Sequence, residues 1–372
     1  MTPPRSRGGN REIALVPEDR FDLTRTGCNM PPLPGGKPEK HPITVSDKAP
    51  WITFRPELRV LDCTIRDGGL MNNSRFSDEE VKAVYHTCIE AGIDYMEIGY
   101  KNSHEAFPKS EYGPWRHCDE EDLRRVVGDH TFEKTGLRLA VMADAGGKSD
   151  WQTKILPADQ SVLDMIRVAC YANQISEAVE MVHHCHGLGY ETTLNIMAIS
   201  TVHDVEIDQV LEIARETSAG TVVVVDSNGA LYREQIDHLV NKYRKALEGT
   251  GKDVGIHAHN NLQLAFANTI EAIILGCNRV DATMMGLGRG AGNCPMEILL
   301  SFLRNPKFKL RPVLDLIQKT IMPMKGRFDW GPNIPYMITG ALNAHPRSAM
   351  AFCESDRNGD IVGFYDKMLN EG

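Results

Sequence analysis

The chain has 372 residues, 42% of them hydrophobic, and a formal net charge of -9. That is apolar material for a sizeable core in one large domain or two ordinary ones, and the acidic balance, with no basic stripe, excludes a general nucleic-acid binder. No run approaches the roughly 20 apolar residues of a membrane span, no amino-terminal apolar stretch reads as a signal peptide, and nine scattered cysteines form no CxxC pair, so a cytoplasmic protein with reduced thiols is expected.

Residues 1–55 are rich in Pro, Gly, Arg and Lys and carry no sustained apolar period, which reads as an arm and not a domain. From Leu58 onward, short apolar runs alternate with longer segments of helical period. The runs are 58–63, 93–99, 137–143, 162–169, 192–199, 221–226, 254–259 and 279–284. Between them, Ile175, Ala178, Val179, Val182, Cys185 and Leu188 trace one helix face, and Leu262, Ala265, Phe266, Thr269, Ile270 and Ile273 another. Eight β/α units over about 250 residues predict a closed (β/α)8 TIM barrel spanning 56–308. A doubly wound open sheet is the alternative, but Arg66-Asp67-Gly68-Gly69 after the first run has neither the GxGxxG nor the GKS/T spacing. Residues 309–372 form a C-terminal extension with Trp330-Gly331-Pro332-Asn333-Ile334-Pro335-Tyr336 and Asn343-Ala344-His345-Pro346-Arg347.

Barrel enzymes place their chemistry at the carboxyl ends of the strands. The residues collected there are polar: Arg66 and Asp67, Glu97 and Tyr100, Asp144, Arg167, Asn195, Asp226 with Ser227 and Asn228, His257 and His259, and the glycine-rich run from Gly286 to Asn293. Residues i and i+2 of a strand share a face, so His257 and His259 project the same way. With Asp67 they would supply two nitrogens and one oxygen to a divalent ion and leave positions open for a 2-oxo acid. Arg66 offers a planar donor fork where negative charge develops, and Arg167 suits a substrate carboxylate. Each signal has a plainer reading: His-X-His pairs also occur as structural residues, and Glu97 and Asp226 could be helix caps.

Four segments, Asp62-Cys63-Thr64-Ile65-Arg66-Asp67-Gly68, His257-Ala258-His259-Asn260-Asn261-Leu262, Arg279-Val280-Asp281-Ala282 and Gly290-Ala291-Gly292-Asn293, resemble the metal-dependent aldolases and lyases of the 4-hydroxy-2-oxovalerate aldolase and hydroxymethylglutaryl-CoA lyase superfamily. The resemblance covers roughly residues 57–305. It implies a TIM barrel, Mn2+ first with Mg2+ or Zn2+ as alternatives, Asp67, His257 and His259 as ligands, Arg66 as the catalytic arginine and Asn293 as a further ligand or substrate contact; Asn195 and Asp226, from the strand-end set, are read as substrate contacts. It also implies a homo-oligomer and, more distantly, an aldehyde-accepting dehydrogenase partner. One departure matters. The aldolases carry a histidine, thought to be the general base, where this chain has Leu70. The candidates to replace it are a metal-bound hydroxide, Glu97, Asp144, His104, Tyr336 and His345.

The expected function is a carbon–carbon lyase acting on a 2-oxo acid through a metal-stabilised enolate, releasing or using pyruvate. A Claisen-type synthase joining an acyl-CoA to a 2-oxo acid is its sibling on the same metal. A non-haem iron oxygenase shares the two-His-one-carboxylate set but not the β/α alternation, and a non-catalytic barrel would follow from the missing base.

Overall fold

The computed structural model describes residues 55–371, so all but the last residue of the expected arm lies outside the described residues. Eight parallel strands, β1 (Arg59–Asp62), β2 (Tyr95–Tyr100), β3 (Arg138–Asp144), β4 (Met165–Cys170), β5 (Glu191–Ile196), β6 (Thr221–Asp226), β7 (Asp253–Ala258) and β8 (Arg279–Ala282), close into a barrel in chain order. β8 returns to β1 with Arg59 opposite Arg279 and Asp62 opposite Ala282. The TIM barrel read from the alternation is the observed fold.

The strands form where β-branched residues run together. In β6, Thr-Val-Val-Val-Val-Asp is buried throughout, as a strand covered on both faces requires. Helices cover the outside: Asp78–Ala91, Glu120–Val127, Ile175–Gly187, Asp204–Arg215, Arg233–Ala246, Ala265–Ile274 and Met296–Leu303. The link from β3 to β4 departs from this rhythm, with only the short turns Trp151–Lys154 and Ala158–Gln160. Helix Asp78–Ala91 has a reciprocal capping box between Ser77 and Glu80 and ends at Gly92 (φ 73°), where a Cβ would strike the Lys307 carbonyl. Helix Ile175–Gly187 buries Met181 in place of the expected Val179 and Leu188, which are only partly buried. The helix after β7 begins at Ala265 and not Leu262, because Gln263 adopts φ 61° and Asn260 Oδ1 accepts from Ala265 N–H.

Inside the barrel the side chains are layered. Leu61, Cys63, Tyr95, Ala140 and Met165 form an apolar floor, and a charged layer with the candidate ligands lies above it. The C-terminal segment caps the strand ends. Trp330 donates its indole N–H to Met285 O, Gly331 N–H reaches Gly290 O, and Asn343 Nδ2 reaches Ser200 O. Helices Ile334–Ala341, Arg347–Cys353 and Ile361–Glu371 surround a separate apolar cluster with Tyr336, Ala349 and Phe364. Among the described residues no helix is long and apolar enough to cross a membrane. Their eight cysteines are all free, seven of them buried; Cys28 lies outside the described residues.

Candidate active site

β1 stops at Asp62, whose carboxylate accepts from the N–H and hydroxyl of Thr64 (3.2 and 2.6 Å) and so starts a single helical turn, Thr64–Gly68. Arg66 and Asp67 therefore stand on a helical turn at the barrel mouth. Gly68 is required there because a Cβ would collide with Leu287 Cδ2. His257 is the last inward-facing residue of β7. The strand ends one residue early, at Ala258, and His259 is held by an isolated bridge to Asn293.

The two imidazoles and Asp67 converge. Asp67 Oδ2 lies 3.6 Å from His257 Nε2 and 3.5 Å from His259 Nε2, and the three residues' ligand atoms fall within 4.8 Å of one another. These separations are too long for good hydrogen bonds, and all three atoms are buried with no partner. The other ring nitrogens are engaged: His257 Nδ1 with Asp281 Oδ2 and His259 Nδ1 with the Asp226 main-chain oxygen, both at 3.1 Å. Each Nδ1 donates, so each Nε2 presents a lone pair to the gap. Three buried acceptors facing one another are costly unless a cation sits among them. The site thus fits a divalent metal.

Burial by itself would raise the pKa of Asp67, but the adjacent Arg66 guanidinium prevails and holds the carboxyl well below its usual range. Burial pushes His259 down to about 4, so its ring is neutral near pH 7. Both groups stand in the state a metal ligand needs.

Below the ligands runs a charged layer. Arg66 Nε donates to Glu97 Oε2 at 2.7 Å and Nη1 to Asp67 Oδ1 at 3.2 Å, while Nη2 has no partner. Arg167 bridges Glu97 Oε2 (3.1 Å) and Asp281 Oδ2 (2.6 Å). Glu97 and Asp281 thus fix Arg66, Arg167 and His257 at once.

A cavity of about 340 Å³ opens above, lined by Arg66, Asp67, His257, His259, Asn195 and Asp144, with Leu70, Tyr100, Met142 and Met197 as its more apolar wall. His345 and Arg347 reach it from the C-terminal segment, with Arg116, Lys148 and Arg289 on other sides. Several expected placements are corrected. Arg167, expected to hold a substrate carboxylate, is one layer too deep, consumed by two ion pairs, and does not line the cavity. Glu97 is likewise locked between two arginines. Asp226 caps the turn before helix Arg233–Ala246 by accepting from Ala230 and Leu231 N–H. Tyr336 is 4% exposed within the C-terminal apolar cluster, away from the lining, and burial pushes its phenol up. His104 pairs with Asp119 and stacks on His117 outside the cavity. Asn195 lines the cavity with Nδ2 unpartnered, and Asn293, bridged to His259, is outside the lining with Oδ1 unpartnered. Asp281 is the residue with a clear role that sequence reasoning did not single out. Its position two residues before Thr283, on the inward phase of β8, was the available signal.

A family model described as HMGL-like matches residues 57–320. The chain belongs to the HMGL-like family. As a member it is an enzyme of carbon–carbon bond chemistry that works with a divalent metal. It is 32% identical to an oxaloacetate decarboxylase of Mycobacterium tuberculosis over 66% of this chain and 69% of that one. It is 29% identical to a 4-hydroxy-2-oxovalerate aldolase of Pelotomaculum thermopropionicum over 68% and 72%. An N-terminal domain from Bacteroides vulgatus superposes with a TM-score of 0.68 at 29% identity, covering 82% of this chain and 100% of that one. HMG-CoA lyase from Bacillus subtilis shares the fold, with a TM-score of 0.60 at 16% identity over 73% and 95%.

Proposed function

We propose that this HMGL-like enzyme cleaves a 4-hydroxy-2-oxo acid into pyruvate and an aldehyde, with Asp67, His257 and His259 holding the metal. The observation that carries this reading is the convergence of three buried, unpartnered acceptor atoms beside an arginine with one free donor. A bound divalent ion supplies positive charge at the 2-oxo oxygen, where negative charge collects as the carbon–carbon bond breaks. Two imidazoles with one carboxylate suit Mn2+ better than Mg2+.

Arg66 completes the charge arrangement. Its Nε and Nη1 are anchored by Glu97 and Asp67, so Nη2 is held toward the cavity at no cost in reorganisation when charge develops. The hydroxyl proton must also leave. Of the side chains the sequence offered, Asp144 and His345 line the cavity. His345 Nδ1 accepts from Arg347 N–H, which leaves the ring proton on Nε2. Asp144, whose Oδ2 is oriented by Asn102 Nδ2 at 2.9 Å, is the acceptor we assign.

The decarboxylase relative favours a second reading on the same site. Loss of CO2 from a 2-oxo diacid breaks a carbon–carbon bond next to the same carbonyl, yet has no hydroxyl to deprotonate, and Leu70 is no obstacle to it. Incubating Mn2+-loaded protein with a panel of 4-hydroxy-2-oxo acids and with oxaloacetate, and measuring pyruvate, aldehyde and CO2, separates the two. No pyruvate, aldehyde or CO2 above the uncatalysed rate, or thiol release from an acyl-CoA plus a 2-oxo acid, would defeat the lyase reading.

A further inference from the structure

Among the described residues, Arg116 and Arg289 both line the cavity without a carboxylate partner and with a buried, unpartnered Nε, but Arg116 is the more deeply buried of the two and is enclosed by aromatic rings. Arg116 ends the short turn Pro114–Arg116 after β2, is 5% exposed, and still lines the cavity. Arg66 and Arg167 each make two carboxylate contacts. Arg116 makes none among the described residues, and its Nε is buried without a hydrogen-bond partner. What surrounds its guanidinium is aromatic: the rings of Tyr100, Phe107 and Tyr112 lie 4.3, 4.8 and 5.2 Å from Cζ. Such rings partly offset the loss of water around a cation, but they do not satisfy its N–H donors. A buried cation enclosed by three rings and lacking an anion is a preformed anion receptor.

The rest of the lining agrees. Arg66, Lys148, Arg289 and Arg347 join Arg116 around the cavity, against the carboxylates of Asp67 and Asp144. This cationic concentration occurs in a chain of net charge -9. The Tyr100 ring lies 5.9 Å from Arg66 Cζ and 4.3 Å from Arg116 Cζ, so one ring flanks both the reacting end and the Arg116 end of the cavity.

We infer that the substrate is a 2-oxo acid bearing a second carboxylate remote from its 2-oxo-acid end, and that Arg116 receives that carboxylate. The inference rests on the reading of the Asp67, His257 and His259 site given above, and deepens it by naming the substrate class. A carboxylate matches a single planar guanidinium fork. Arg116 is a specificity-determining residue, not a participant in bond cleavage.

Binding of ligands that cannot undergo the proposed retro-aldol cleavage tests this separately from turnover. Mn2+-loaded full-length protein is titrated calorimetrically with 2-oxoglutarate and with 2-oxopentanoate, which differ by carboxylate against methyl. The diacid is expected to bind at least about tenfold more tightly, the scale of one charge-assisted hydrogen-bond pair. Arg116→Gln should erase the difference, and Arg116→Lys should restore part of it, which a merely structural role would not do. Equal affinities in the wild type, or an unchanged preference in Arg116→Gln, overturn the inference even if pyruvate is formed. Tighter binding of the phosphonate analogue of 2-oxoglutarate than of 2-oxoglutarate itself overturns the carboxylate assignment. A carboxylate preference in protein that cleaves nothing refutes the lyase reading and leaves the Arg116 subsite standing.

Discussion

Asp281→Asn tests how the proposed metal ligands are held. Asp281 Oδ2 accepts from His257 Nδ1 at 3.1 Å and pairs with Arg167 Nη2 at 2.6 Å, all at most 4% exposed. The amide keeps the volume but removes the charge. His257 exchanges its anionic acceptor for at best a weaker amide oxygen, and Arg167 is left with Glu97 as its one charged partner. Loss of such an outer partner typically weakens metal binding by about 10- to 100-fold. Removing one member of a buried ion pair should also destabilise the metal-free protein by about 3 kcal/mol or more. Calorimetric titration with Mn2+ and urea unfolding of the metal-free protein read the two effects separately. A folded Asp281→Asn protein that binds Mn2+ within about twofold of wild type would refute the claim that Asp281 orients His257 for metal binding.

Arg66→Lys should still bind metal but lose about 10²- to 10³-fold in kcat, the usual cost of removing a preorganised donor to a developing oxyanion, and an unchanged kcat would remove Arg66 from catalysis. Tyr336→Phe should leave pyruvate formation within about threefold of wild type, because the ring is packed in the C-terminal cluster; a loss of ~100-fold or more would return it to the list of proton acceptors. Burial pushes the Asp62 carboxyl up to about 7 from an ordinary 3.8. A raised folded-state value means that the folded protein holds this proton more tightly, so the contribution to stability is full below pH 3.8 and is lost as pH rises to about 7. Across that window Asp62→Asn should show a flatter fall of melting temperature with pH than wild type, by an amount equivalent to a few kcal/mol at most, and parallel curves would contradict it.

The convergence of the proposed ligands was legible because it rests on two strong regularities: period-two projection from a strand, which aligns His257 with His259, and the gathering of strand ends at one face of a barrel, which brings Asp67 to them. Depth was harder to read. A fourth strand taken as 162–169 puts Arg167 near the rim, whereas the observed Met165–Cys170 seats it in the charged layer beneath. The polarity of Arg167 was visible, but its layer depends on a register set by neighbouring strands. Tyr336 and His345 lie nine residues apart in a segment without barrel periodicity, and only its path over the β5, β6 and β8 loops separates a packed ring from a cavity wall. Arg116 gave no motif at all, since its meaning comes from what surrounds it: Phe107 and Tyr112 precede it closely, but Tyr100 and the absence of a carboxylate partner are tertiary facts.

The central claim is that Asp67, His257 and His259 form one divalent-metal site. Metal content and Mn2+ titration of the purified full-length protein, compared with Asp67→Asn shown to be folded by circular dichroism, test it most directly. The account predicts about one divalent ion per wild-type chain and loss of tight binding in the variant. A wild-type protein that takes up no stoichiometric divalent ion, or a folded Asp67→Asn variant that binds as well as wild type, would contradict it.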